Sequence, residues 1–480
     1  MRFELSLLKW VLIVLLLSVG ALAAINAGDE DPAPEYQSVF APTAMPALAA
    51  EKNAAFWLIG FSAPLLEDPY AKGVSAVQSA EKLAREKPTD AITQEAILGK
   101  ASLAFQGDGS ALCDFLQANC LAKARDNAPA LDKLAVENSV LLGRYEQLAR
   151  FDGARNPFPP RHINAPILFP DRTQRLKLSL IAKTAAGGEA DKAMNELAND
   201  VAMLRRLLPG TQAVAERNLK VAALMRDVRL ASELVRDVEL SPSAVEALTR
   251  IVAPLSKDEM DYRAAASYES ASYLSGFDVY RDRGNRGNVW YSALTGFAWN
   301  SVYKHQATLN RAARVVQAAA ALTVSPAAEL GERQRALNEA IRVETELNWR
   351  APYNLWGKHL VDFNADQFEV RSPVPLYDLI GLMRLTSLQY RIKRDKLIDD
   401  RIRAYLETVG AEFSNPYTAR PMFWNPADRS LGFDSGTGKA VVTVRVANSI
   451  SAAAADAQKP KAPPPIPANI LKQIQGGGVQ

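Results

Sequence analysis

Few residues of this chain could do chemistry. Both cysteines lie in 113-CDFLQANC-120, seven positions apart. Two thiolates do not complete a tetrahedral zinc site, and no second ligand pair accompanies them. Redox chemistry of the C-x-x-C kind needs closer spacing. A disulfide and a pair of buried thiols remain. In one continuous helix, residues seven apart are separated by roughly 10 Å along the axis, whereas a disulfide needs Cα atoms about 4.4–6.8 Å apart. A Cys113–Cys120 disulfide therefore requires a helix break between the two, with Asn119 as the breaker. The run Gly107-Asp108-Gly109-Ser110 just upstream supports a turn-rich neighbourhood. The expectation is a disulfide closing a small loop, with two buried thiols as the alternative.

Histidine is scarce: His162, His305 and His359 are the full set. None has a second histidine or an acid at metal-ligand spacing, and no H-E-x-x-H, G-x-S-x-G or phosphate-binding glycine loop occurs. Each is expected to be a hydrogen-bonded structural or surface imidazole. Acidic pairs such as Glu344 with Glu346 and Glu259 with Asp261 are two apart, do not share a helix face, and read as solvated. The richest stretch is 281-RDRGNRGNVWYSALTGFAWNSVYKHQATLN-310, followed by 349-WRAPYNLW-356. Arg283, Arg286, Trp290, Tyr291, Trp299, Trp349 and Trp356 make a candidate ligand surface. Flat π-faces pack on sugar C–H groups or acyl chains while a polar rim fixes orientation. The competing reading is that these aromatics fill a junction between helical units, since Trp290, Ala293, Phe297 and Asn300 fall on one helical face. No catalytic residue, metal site or cofactor emerges.

The elements that must position these residues are helices. The chain has 480 residues, 48% hydrophobic and 23% charged, so two or three folded units are expected. A net charge of +3 without a Lys/Arg block gives no case for nucleic acid. In 190-ADKAMNELANDVAMLRRLLPG-210, Met194, Leu197, Val201, Leu204 and Leu208 form one seam at steps of 3 and 4. Pro209-Gly210 stops that helix, and Val221, Met225, Val228 and Val235 begin a second seam, which makes an antiparallel helical hairpin. Near the end, 440-AVVTVRV-446 reads as part of a small β-hairpin. The fold class expected is mainly α: an N-terminal membrane helix, stacked antiparallel helical hairpins, a C-terminal β-hairpin and a disordered tail. The divisions are 1–27 (transmembrane anchor or signal peptide), 28–50 (linker), 51–240 (helical hairpins), 241–447 (second helical unit with the aromatic segment) and 448–480 (Ala/Pro-rich tail).

The address is read from the N-terminus. Trp10–Ile25 is an unbroken apolar or small run, with Arg2 and Lys9 before it and Asp29, Glu30 and Asp31 after it. Basic flanks stay in the cytoplasm, so the bulk of the chain is expected in the periplasm. An uncleaved anchor would use Leu5–Ile25, with Lys9 reaching to the headgroups. A cleaved signal peptide would use Ala21-Leu22-Ala23 as its processing box. The expectation is a single-pass inner-membrane protein.

Several stretches recur in one order: 53-NAAFWLIGFSAPLLEDPYAKG-73, 113-CDFLQANC-120 leading to 141-LLGRYEQL-148, 305-HQATLN-310 and 415-NPYTARPMFW-424. With the N-terminal run, this resembles a family of uncharacterised, membrane-anchored, mostly helical exported proteins of proteobacteria, over most of residues 1–435. The resemblance implies an address and an architecture and carries over no site residue. Independently of it, Pro416 and Pro421 force extended or turn backbone, and Tyr417, Met422, Phe423 and Trp424 then pin a loop onto the helices beneath. The expected function is an anchored scaffold that binds an envelope protein partner. The alternative is a glycan- or lipid-binding protein or enzyme acting through 290–303 and 349–356.

Overall fold

The computed structural model describes residues 2–39, 48–86, 103–115, 119–158, 169–277, 280, 299–347, 352–363, 373–436 and 440–447. The tail 448–480 lies outside them. In chain order the helices are α1 (Arg2–Ile25), α2 (Pro34–Val39), α3 (Ala54–Ile59), α4 (Pro69–Glu86), α5 (Cys120–Asp126), α6 (Ala128–Glu137), α7 (Ser139–Glu146), α8 (Asp171–Ala186), α9 (Ala190–Leu207), α10 (Val214–Asp237), α11 (Pro242–Ile251), α12 (Lys257–Met260), α13 (Arg263–Ser275), α14 (His305–Thr323), α15 (Leu330–Thr345), α16 (Leu355–Phe363), α17 (Val374–Arg394) and α18 (Asp399–Thr408).

The seams explain the packing. Met194, Leu197, Val201, Leu204 and Leu208 are all buried, as are Val221, Val228 and Val235. Helix α9 packs against α8, α10 and α11. Gly210 takes φ +74° in the turn that separates α9 from α10, a left-handed conformation that suits glycine. One apolar core draws on residues 54–265 and on 376–446, where α17 and β3 pack on α10. A second core spans Tyr273 to Val361 and is built mainly on α14, α15 and α16. Helices α3 and α4 cross very closely. A Cβ on Gly73 would stand 1.8 Å from the Phe56 carbonyl oxygen, so only glycine fits there. Arg144 of α7 is buried and donates to the carbonyls of Phe61, Ala63 and Pro64, fixing the turn between α3 and α4.

The C-terminal β-structure is larger than a hairpin. β1 (Phe423–Asn425), β2 (Ser430–Asp434) and β3 (Val441–Arg445) form an antiparallel sheet in that order. Phe423 pairs with Gly432, and Leu431 pairs with Val444. The added strand, β1, comes from the aromatic end of the 415–426 loop, whose Trp424 is buried.

The membrane anchor is corrected. Among the described residues, no helix is long and apolar enough to cross a membrane. The unbroken run Trp10–Ile25 gives about 24 Å of helix at 1.5 Å per residue, short of a hydrocarbon core about 30 Å thick. Lys9 interrupts its continuation. The transmembrane helix, and with it the single-pass inner-membrane placement with a periplasmic body, is not supported.

Candidate functional site

The aromatic segment is only partly described. Arg283, Arg286, Trp290, Tyr291 and Trp349 lie outside the described residues, as does His162. Trp299 and Trp356 are brought together, with ring centroids 6.0 Å apart in an edge-to-face arrangement. Trp299 also meets Tyr303 at 4.9 Å, and Trp356 meets His359 at 5.3 Å. The Tyr303 hydroxyl and His305 Nδ1 are hydrogen-bonded at 3.0 Å. Tyr303 is buried, Trp299 is half-buried, and Trp356 is 40% exposed. The cluster is thus graded from core to surface.

Asn354 holds this arrangement, and its role was not read from the sequence. It is fully buried at φ +53°. Its side-chain oxygen accepts from the Lys304 amide at 2.8 Å, and its side-chain nitrogen donates to Thr308 Oγ1 at 3.0 Å. Its own amide donates to Asn26 Oδ1 at 2.8 Å. The Trp356 amide then donates to the Val302 carbonyl at 2.9 Å, which registers α16 against the chain entering α14. The signal in the sequence is an Asn just before a helix, a residue type that tolerates the left-handed backbone found here.

Two acids read as solvated are in fact buried and paired. Glu344 accepts from Arg314 at 2.5 and 2.8 Å and from Arg311 at 3.2 Å, joining α15 to α14. Glu259 accepts from Arg205 at 2.5 and 2.9 Å and completes a capping box with Ser256 at the start of α12. Spacing along one helix says nothing about a partner on another.

The cysteines are joined. Cys113 and Cys120 form a disulfide with Cα atoms 5.1 Å apart. A 3₁₀ turn at Gly109–Ala111 precedes the first, and α5 starts at the second, with Asn119 in the non-helical cap position. Both sulfurs are buried. The Cys113 amide donates to Ser179 Oγ at 2.9 Å, and Arg175 donates to the Cys113 carbonyl at 3.2 Å. At the other end, the Leu121 amide donates to Glu233 Oε2 at 3.3 Å. Burial pushes the Glu233 carboxyl up to about 7, against the pull of Arg236. The disulfide therefore staples the 109–115 turn, held on α8, to α5, which meets both α8 and α10.

Three further acids sit in the first core. Asp378 on α17 accepts from the hydroxyls of Tyr417 at 2.7 Å and Ser435 at 2.8 Å. Burial pushes its carboxyl up to about 6. This is how the 415–424 loop is locked down. Asp200 and Asp227 meet where α7, α8, α9 and α10 converge, with Tyr145 and Gln174 as their hydrogen-bond partners. The apolar seams drew attention away from them.

No family model, no curated protein and no solved structure matches this chain.

Proposed function

We propose that this chain is a scaffold of stacked antiparallel helical hairpins that binds a partner protein, with α16 as part of the contact surface. The observation that carries this is the division of α16. Leu360 and Val361 face the second core, while Trp356 is 40% exposed and Phe363 is 72% exposed. Large aromatics held on a rigid helix are the residues that anchor protein interfaces. The Trp356 ring packs against Trp299 and His359, so little side-chain freedom is lost when a partner covers it. The disulfide supports work in a compartment where thiols oxidise, and the partner is expected there too.

The test is capture from extract by the full chain with mild crosslinking. A partner retained by wild type and lost with W356A/F363A supports the reading. Recovery of the monomer alone, or equal capture by the variant, overturns it. A second reading, a glycan or lipid surface, draws on the Trp299–Trp356 pair, whose outer ring stays open. It expects Trp fluorescence to change with soluble wall fragments or lipid vesicles, and W356A to abolish the change.

A further inference from the structure

Asp200 and Asp227 are carboxylates on helices that otherwise present apolar seams to one another. Asp200 is 7% exposed and Asp227 is 0% exposed. Leu197 and Leu204 flank Asp200 one turn to either side, and Leu224 and Ala231 flank Asp227 in the same way. Asp200 Oδ2 accepts from the Tyr145 hydroxyl at 3.1 Å. Asp227 Oδ1 accepts from Gln174 Nε2 at 3.1 Å. Asp227 Oδ2 is buried and meets no donor. The acid beside it is Asp200, close enough for a carboxyl–carboxyl hydrogen bond.

The cations facing the pair are already committed. Arg226 of α10 donates to Gln174 Oε1 at 2.9 Å and pairs with Asp171 at 2.6 Å. Lys177 of α8 pairs with Glu146 at 3.0 Å and with Glu196 at 3.7 Å. Tyr145 of α7 is neutral, its phenol held well above its ordinary range by burial. Two negative charges here would be buried side by side without a dedicated counter-ion, which is strongly unfavourable. A single proton removes the conflict. One carboxyl becomes a hydroxyl donor, the other stays an acceptor, and the orphan oxygen gains a partner.

We propose that Asp200 and Asp227 hold one proton between them at neutral pH, and that this proton is a structural ligand of the helix junction. Burial acts in the same direction on both groups, raising Asp200 to about 6 and Asp227 well above the ordinary carboxylate range. The unfolded acids ionise near 4, so the folded pair keeps a proton that the unfolded chain releases. The stability this proton supplies is complete below about 4 and is lost progressively as pH climbs from there to the raised value of the folded pair.

The test is urea unfolding of the full chain from pH 5 to 8.5 for wild type, D227N and D200N. In D227N the amide can donate to Asp200, which then ionises without a like charge beside it. Between pH 6 and 8, the wild-type unfolding constant should climb more steeply than that of D227N, by up to about tenfold per pH unit. Glu233 and Asp378 titrate in all three proteins and cancel in the difference. D227N should therefore be the more stable protein at pH 8 and lose that advantage at pH 5. Parallel pH profiles, or D227N less stable at pH 8, overturn the proposal. If D227N does not fold, D200N is read by the same slope. The infrared carbonyl band of a protonated acid at pH 7.5 gives a second reading: it should be stronger in wild type than in D200N, and equal bands overturn the proposal.

Discussion

Breaking the Cys113–Cys120 bond is a perturbation with a calculable size. The sequence separation is 7, so the crosslink closes a loop of about eight residues. In the chain-entropy description, closing such a loop removes about 8 cal/mol/K from the unfolded chain, or about 2.5 kcal/mol at 25 °C. Both sulfurs are buried, so a mild reductant reaches the bond only when the 109–115 turn opens. In the unfolded chain it is reduced freely. Urea unfolding with and without reductant should therefore differ by about 2.5 kcal/mol, about seventyfold in the unfolding constant. C113A/C120A should lose at least as much, because each truncation also leaves a small void beside Leu112 and Leu121. A local readout adds to this: amide exchange in Cys120–Asp126 should quicken more than in α9, because the short helix α5 loses the covalent tie at its first residue. Equal stability with and without reductant would refute the entropic reasoning. Two titratable thiols in denatured, unreduced protein would refute the bond itself.

Glu233→Gln keeps an oxygen for the Leu121 amide and removes a carboxyl that burial raises from 4.5 to about 7. A raised acid stabilises the fold below its unfolded value and loses that contribution as pH climbs through about 7, so E233Q should gain up to about 3 kcal/mol at pH 8 and little at pH 5; melting temperature against pH checks it, and a loss at pH 8 would mean that the carboxylate bound to Leu121 and Arg236 is net favourable. Gly73→Ala drives a Cβ to 1.8 Å from a backbone oxygen and should cost about 3 kcal/mol or prevent folding, whereas Gly143→Ala, also helical but with nothing within 4 Å, should be neutral or stabilising by about 0.5–1 kcal/mol; thermal unfolding of the two variants side by side tests the close crossing.

Apolar periodicity was readable because it is local. The seam from Met194 to Leu208 shows at steps of 3 and 4 whatever the rest of the chain does, and all of it is buried. The strand at Val441–Arg445 and the lock at Tyr417 were legible for the same reason, through β-branched alternation and paired prolines. The polar hubs were not. Arg144 finds its carbonyls about 80 residues away, Asn354 finds Asn26 across 328 residues, and Glu344 finds its arginines on another helix. Asp200 and Asp227 did leave a trace. Each occupies a position that its own seam reserves for an apolar residue, 3 after one leucine and 4 before the next buried side chain. A carboxylate inside a seam is informative because it must be paired or protonated there.

The acidic run after the N-terminal helix gives the same lesson in reverse. Asp29–Asp31 reads as a charged flank leading into a linker, yet it serves as a helix cap supplied from a distance. Helix α14 begins after Lys304, whose side chain caps nothing. Its first-turn amides at Gln306 and Ala307 instead donate to the two carboxylate oxygens of Asp29, at 2.8 and 2.9 Å. Negative charge at a helix N-terminus is favoured by the dipole and satisfies donors that have no intrahelical partner. Asn310 then donates to Glu30 and to the Asp31 carbonyl at 2.9 Å, while its own oxygen accepts from the Ala33 amide at 3.0 Å. Asn26, buried to 2% exposure, ties the same strand of chain to Asn354. Residues 26–33 are therefore part of the second core's architecture, and they connect directly to the Asn354 hub that sets Trp356. The Ala21-Leu22-Ala23 box lies upstream of every one of these contacts. A cut there would remove the apolar helix and leave the clasp whole, whereas a cut after Asp31 would uncap α14 and release the register of the exposed aromatic face.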